Sequence, residues 1–398
     1  MKKYFVALGT ALLVLLTSCG GGDGGVGSGG TGLTAGGVGS GGTGISSGAG
    51  IGPITGFGSI FVNGVHYDIS NAAMTLDDAT SLQLGMTVKV EGTSNADFSA
   101  GTASRVVSAA ELRGPVSVVN LGAGTLEVQG SIVTIDPATV FGAVSGLSAL
   151  AVGDSVQIYG LLDAPGSLRA SRIEKLGAAA PPVVSGSLAN LAIASNSFRL
   201  GNLTVNYGGA SFVGGLTSGQ LADGVKVRVR SATHPVAGVL QATQIQAWHE
   251  VPQANGTAIN LTGVISNYAS LNSFRLLGTA IDASTAQITG GPASAIGNGV
   301  KVEVSGYMSN GILVVGKLKI KHIPGTGGPA SFNLVGAVGA YVSPASFRVQ
   351  GHPVDASGAG VVFSDGSATN LANGAKVTIV GSQVVNGVLL ADTVTFNP

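Results

Sequence analysis

Two segments carry cations at every second position. Lys226, Arg228 and Arg230 alternate with Val225, Val227 and Val229, while Lys317, Lys319 and Lys321 alternate with Leu318 and Ile320. A period of two puts each trio on one face of a strand. Such a face could touch a polyanion, whether nucleic acid or lipid A phosphates. The plainer reading is a solvated outer face that discourages edge pairing. One tryptophan, Trp248, and seven tyrosines leave few stacking platforms, which disfavours single-stranded nucleic acid. Among the carboxylates, Asp68 with Asp77 is the least poor pair for a hydrolase, which needs an acid and a base facing across one groove. The histidines, His66, His234, His249, His322 and His352, are scattered without metal-ligand spacing. No Gly-x-Ser-x-Gly sits between a strand and a helix. No catalytic residue, metal or cofactor is indicated.

Cys19, the only cysteine, carries the strongest signal. Lys2 and Lys3 precede an almost wholly apolar run, Tyr4 to Leu16. That run is too short to span a bilayer and suits the core of a signal peptide. The following Leu16-Thr17-Ser18-Cys19 resembles the lipobox of bacterial lipoproteins. The resemblance implies cleavage between Ser18 and Cys19, with acyl chains such as palmitate held through the Cys19 thiol. Two or more chains anchor a protein stably, at about 0.8 kcal/mol per buried methylene. An ordinary secretory peptide with an incidental cysteine is the alternative. Gly20, where Asp would favour inner-membrane retention, implies the outer membrane of a host that has one.

Residues 19–52 read as the lipidated cysteine and a disordered linker. They contain GGVGSGGTG twice, at Gly24–Gly32 and Gly36–Gly44. A segment this poor in apolar side chains cannot offset its ordering entropy. It would reach on the order of 30 Å as a flexible coil. The G-x-G-x-x-G matches inside it have neither the preceding strand nor the following helix that dinucleotide binding needs.

Beyond residue 52 the chain repeats itself. Gly85-Met-Thr-Val-Lys-Val-Glu-Gly92 returns in variant form from Gly153, Gly224, Gly299 and Gly374, at intervals of 68, 71, 75 and 75 residues. Ser197-Phe198-Arg199-Leu200 returns at Ser273 and Ser346. An Asp or Asn recurs at Asp68, Asp136, Asn206, Asp282 and Asp355, either as a metal or sugar contact or bonded to the next turn's backbone. Alternating apolar and polar residues predict half-buried strands, and helical periodicity is absent. Each copy offers four or five strands, and its edges are protected only if it closes. The expected fold is therefore all-β, a tandem array of five small barrels. By analogy alone these are like the oligonucleotide/oligosaccharide-binding (OB) barrel. The boundaries are 1–18 signal peptide, 19–52 linker, then repeats at 53–112, 113–177, 178–250, 251–323 and 324–398. Residues 20–184 hold 6 basic and 12 acidic side chains, against 11 and 7 in residues 185–398. The opposite signs would favour contacts between copies or molecules, or reflect drift.

The opening of the first copy, Gly52-Pro-Ile-Thr-Gly-Phe-Gly-Ser-Ile-Phe-Val-Asn-Gly64, resembles an uncharacterised family of bacterial repeat domains. It is a numbered domain of unknown function, five-six-six-six. The Leu-x-x-Gly-x-x-Val-x-Val-x-Gly pattern at Leu82–Gly92 is also similar. The resemblance implies repeats in exported bacterial proteins, often lipoproteins, and carries no catalytic residues. The expected role is a non-enzymatic, lipid-anchored spacer or binding module of the cell envelope. Its partners would be membrane lipid through Cys19 and an envelope glycan or protein. The alternative is a hydrolase of envelope polysaccharide.

Overall fold

A computed structural model describes residues 46–325, 328 and 330–397. Cys19 and most of the expected linker lie outside them. The described chain is all-β, and its only helical pieces are 3-10 turns of three residues.

Repeat one shows the plan. Ser46–Phe57 pairs antiparallel with Ile60–Val62, and that strand with Val65–Asp68. Val65–Asp68 runs parallel to the last strand, Ala100–Ser108. The last strand pairs antiparallel with Thr87–Ser94, which returns antiparallel to Ser46–Phe57 and closes the ring. Closure satisfies strand edges that a small open sheet would expose. The same closing pair recurs as Leu112–Asn120 with Ser155–Ala164, Val183–Ala192 with Lys226–Ser231, Ala258–Val264 with Lys301–Ser309, and Phe332–Ser343 with Lys376–Gly381. Each repeat also holds a short sixth strand, Ala73–Leu76 in the first, parallel to the last strand. At three or four residues this strand is too short for alternation to reveal, which is why only four or five are legible in each copy.

The repeated sequence marks have local causes. The first glycine of the long pattern has a left-handed backbone, with φ of 81°, 93°, 91°, 84° and 90° at Gly85, Gly153, Gly224, Gly299 and Gly374. The second sits at a register shift where the last strand crosses: a Cβ on Gly92 would meet the Thr102 carbonyl at 2.1 Å, and one on Gly306 the Val314 carbonyl at 2.0 Å. In the Ser-Phe-Arg strand, Phe198, Phe274 and Phe347 are buried in the barrels. Each following arginine donates to a carbonyl of the next hairpin turn, as Arg275 does to Gly278 at 2.7 Å. All five recurrent Asp and Asn side chains accept the backbone N–H two residues on: Ser70, Ala138, Gly208, Ser284 and Ser357. They hold turns.

The repeats do not simply follow one another. The first strand of repeat one pairs parallel with the first strands of two distant repeats, at Gly48–Ile51 with Ala258–Leu261 and at Gly56–Phe57 with Asn333–Leu334. Repeats two and three pair at Leu112–Arg113 with Val183–Val184. That strand of repeat one starts at Ser46, inside the stretch expected to be linker. Its glycines belong to a strand because side chains there would collide with repeat four: a Cβ on Gly48 would lie 2.0 Å from the Ala258 carbonyl oxygen. The junction also buries a closed polar network. Asn63 Nδ2 donates to Ile51 O and Asn260 Oδ1, Thr262 Oγ1 donates to Asn63 Oδ1, and Asn260 Nδ2 donates to the Tyr67 hydroxyl.

Repeats one and five meet through a ring stack, His352 on Phe57 at 3.9 Å between centroids. Burial, reinforced by the charges of Arg172 and Arg348, pushes the His352 pKa down to about 4 from 6.5. The folded ring stays neutral at pH values where the unfolded chain takes up a proton. Its stabilising contribution is therefore complete above pH 6.5 and lost as pH falls toward 4. His352→Phe is expected to flatten the fall in stability across that window. Urea midpoints at pH 7 and 4.5 check this; an equally steep fall in the variant would clear His352 of the effect.

Candidate functional site

The densest charge in the described chain lies where repeats one, two and three meet. Asp78 follows the short fourth strand of repeat one. Arg113 lies on the first strand of repeat two, and Arg228 and Arg230 on the fifth strand of repeat three. Asp78 Oδ1 accepts from Arg113 Nη1 at 2.9 Å and Arg230 Nη2 at 3.1 Å. Its Oδ2 accepts from Arg228 Nη2 and from the Ala110 N–H. Burial pushes the Asp78 carboxyl upward, but Arg228, Arg230, the Ala110 N–H and Arg113 outweigh it and hold it below the usual carboxylate range. Arg228 is fully buried, and Asp77 is 3.6 Å from its Nη1.

A second carboxylate backs this cluster. Glu111 accepts from Trp248 Nε1 on Oε2 at 2.6 Å, while its Oε1 is 2.6 Å from His249 Nε2. The Arg228 guanidinium carbon lies 5.1 Å from the Trp248 ring centroid. Trp248 is thus committed to the interior.

Trp248 and His249 also form part of the floor of an open groove of about 750 Å³. Lys226 of repeat three, Arg275 of repeat four and Lys89 of repeat one line it, and Glu250 supplies its one carboxylate. Lys89 pairs with Glu91 at 2.8 Å. The Lys226 ammonium has no hydrogen-bond or ion-pair partner among the described residues. Burial pushes its pKa down to about 8, against the pull of Glu111. A groove of this size is ample for a small organic ligand.

The family profile of a domain of unknown function, DUF5666, matches at residues 51–106, 113–174, 191–246, 262–315 and 335–395. The chain belongs to the DUF5666 family. None of the curated proteins searched matches it. The five DUF5666 matches fall on the five closed rings, so ring and sequence repeat coincide.

The candidates named from sequence are spread over this five-ring DUF5666 body. Lys226, Arg228 and Arg230 do share a strand face, but that face turns to repeats one and two rather than to solvent. Arg228 is sealed, Arg230 binds Asp78, and Lys226 alone reaches the groove. Alternation tells which side chains share a face, not what covers it. The second trio is also not one open stripe. Lys317 donates to the Asp97 carbonyl at 2.5 Å, and Lys319 lies beside it on a separate cleft. Lys321 pairs with Glu303 at 3.6 Å, and burial lowers its pKa. Asp68 is exposed and its carboxyl is held low by Ser70, while Asp77 faces Arg228 and Arg230. Among the described residues no group of three His, Cys, Asp or Glu is placed to hold a metal ion, and no helix is long and apolar enough to cross a membrane. Ser18 and Cys19 lie outside the described residues.

Sequence reasoning missed Lys89 and Arg275 as groove residues, although the Ser-Phe-Arg repeat pointed at Arg275. It also missed Glu111 and the buried Lys301–Asp136 pair at 3.0 Å. The signal available was the charge imbalance between the two parts of the chain. Asp78 with Arg228, Glu111 with His249, and Asp136 with Lys301 all join the acidic part to the basic one.

Proposed function

We propose that the protein is a lipid-anchored component of the bacterial cell envelope, exported, acylated on Cys19 and sorted to the outer membrane. Its five-repeat body acts as a non-enzymatic binding module whose ligand seats in the groove beside Trp248. One observation carries the non-enzymatic part: the buried carboxylates are each committed to a cation or a donor. Asp78 serves three arginines, Glu111 serves Trp248 and His249, and Asp136 serves Lys301. A general acid needs a carboxyl whose pKa is raised, whereas those of Asp68 and Asp78 are lowered. The closing order within each ring supports the likeness to an OB barrel. Anchoring is supported by the apolar run ahead of Leu16-Thr17-Ser18-Cys19 and by Gly20.

Growth with radioactive palmitate tests the anchor. The natural chain is expected to label and to sediment with outer membranes. Cys19→Ala is expected to lose all label, since no second thiol exists to take the acyl group. Failure of the natural chain to label would remove the anchor from this reading.

A further inference from the structure

We propose that the groove between repeats three and four binds a short acidic glycan, its units bearing carboxylate or phosphate, with Lys226 and Arg275 as the principal contacts. This inference rests on the binding-module reading and supplies its ligand class.

Three cationic side chains, Lys89, Lys226 and Arg275, line the groove against the single carboxylate of Glu250. Glu111, whose field reaches Lys226, is turned to Trp248 and His249 and makes no hydrogen bond or ion pair with it. Lys226 is thus a largely desolvated ammonium without a counter-ion, a state that a ligand oxyanion relieves. Arg275 is prepared for the same task. Its Nη1 is fixed on the Gly278 carbonyl at 2.7 Å, and its other donors have no partner among the described residues. The two cations converge on one hairpin turn: Lys226 Nζ lies 3.1 Å from where a Cβ on Gly278 would sit. The absence of that Cβ keeps the approach to the ammonium open. A fixed guanidinium beside a free ammonium matches carboxylate or phosphate oxygens. The groove's volume of about 750 Å³ lies in the range of ligand-binding clefts, and the three cations on its walls suit an anionic ligand better than a lipid tail. Trp248 is 4% exposed and cannot stack a base, which argues against single-stranded nucleic acid.

Calorimetry on the whole purified chain tests the proposal, with a hexamer of galacturonate, tripolyphosphate and neutral maltohexaose as probes. The acidic hexamer is expected to bind and the neutral one not. Lys226→Met should weaken binding about tenfold, the worth of one charge-assisted contact, whereas Lys226→Arg should retain it. From pH 7 to 9 the natural chain should lose affinity as the Lys226 ammonium, pKa about 8, deprotonates, and Lys226→Arg should not. Unchanged Trp248 emission shows that the variants keep the groove floor. If tripolyphosphate binds with the same Lys226 dependence, charge governs recognition and the proposal stands. It is overturned if Lys226→Met leaves the acidic hexamer's affinity intact, if neither anion binds, or if maltohexaose binds equally well; in that last case the module reading survives. None of these readouts depends on acylation, so failure of the anchor and failure of the ligand class are seen separately.

Discussion

Asp78→Ala is expected to cost the five-repeat body about 3–5 kcal/mol, the range for removing one partner of a buried ion pair. The size follows from what is left behind. Arg113 loses its carboxylate, Arg230 keeps Asp77 at 3.7 Å, and Arg228, whose side chain is 0% exposed, keeps Asp77 at 3.6 Å and the Ala110 carbonyl at 2.8 Å. Uncompensated charge in that interior is more costly than the lost attraction alone. Trp248 reports the event directly, being the only tryptophan and resting against both Arg228 and Glu111. Its emission in a urea titration should shift to lower denaturant in Asp78→Ala. Adding Arg228→Met should restore part of the loss, because it removes one of the stranded charges. The lowered Asp78 pKa fixes the pH dependence. The carboxylate's contribution is present above its unfolded value near 3.8 and is lost as pH falls through the lower folded value. The gap between natural chain and variant should therefore close in strong acid. A loss below about 1 kcal/mol at pH 7 would show that water satisfies these arginines and that the cluster holds nothing together.

Much of this architecture is written locally, and those parts were legible. The glycines at Gly85 and Gly92, the Phe274 and Arg275 pair and the Asp68 turn each do their work within one repeat. Repetition then displays the same local rule five times. What was not legible depends on which repeats meet. Arg228 and Arg230 look alike in sequence, yet one is sealed against Asp78 and the other is partly exposed. The groove takes Lys89, Lys226 and Arg275 from three repeats, and no spacing rule links them. Composition misled at Ser46–Gly52. Glycine-rich sequence runs into these residues without a break, so the segment that joins repeat one to repeat four reads as more of the same. Glycine disorders a free segment because it lacks a side chain. For that same reason it lets two strands come together where a side chain would hold them apart.

Gly48→Val should consequently separate repeats one and four, with a loss of at least about 3 kcal/mol, the upper end for overpacking. The clash is with main chain: the new Cβ would meet the Ala258 carbonyl oxygen at 2.0 Å and its carbon at 2.9 Å. Neither atom can rotate away as a side chain would, so the strands must part. Parting them breaks the parallel register of Gly48–Ile51 with Ala258–Leu261. It also withdraws Ala49 and Ile51 from the core of repeat four and opens the Asn63–Asn260 network, whose buried amides then lack partners. Amide hydrogen exchange reads the change residue by residue. Within residues 258–261 the amides that face Gly48–Ile51 should lose protection, while those that face the closing strand Lys301–Ser309 keep most of theirs. Gly209→Ala is the matched control. A Cβ there meets nothing within 4 Å, and the expected effect is under about 0.5 kcal/mol. Full protection at 258–261 in Gly48→Val would mean that the first strand can shift past its partner, and that side-chain packing rather than strand pairing joins the two repeats.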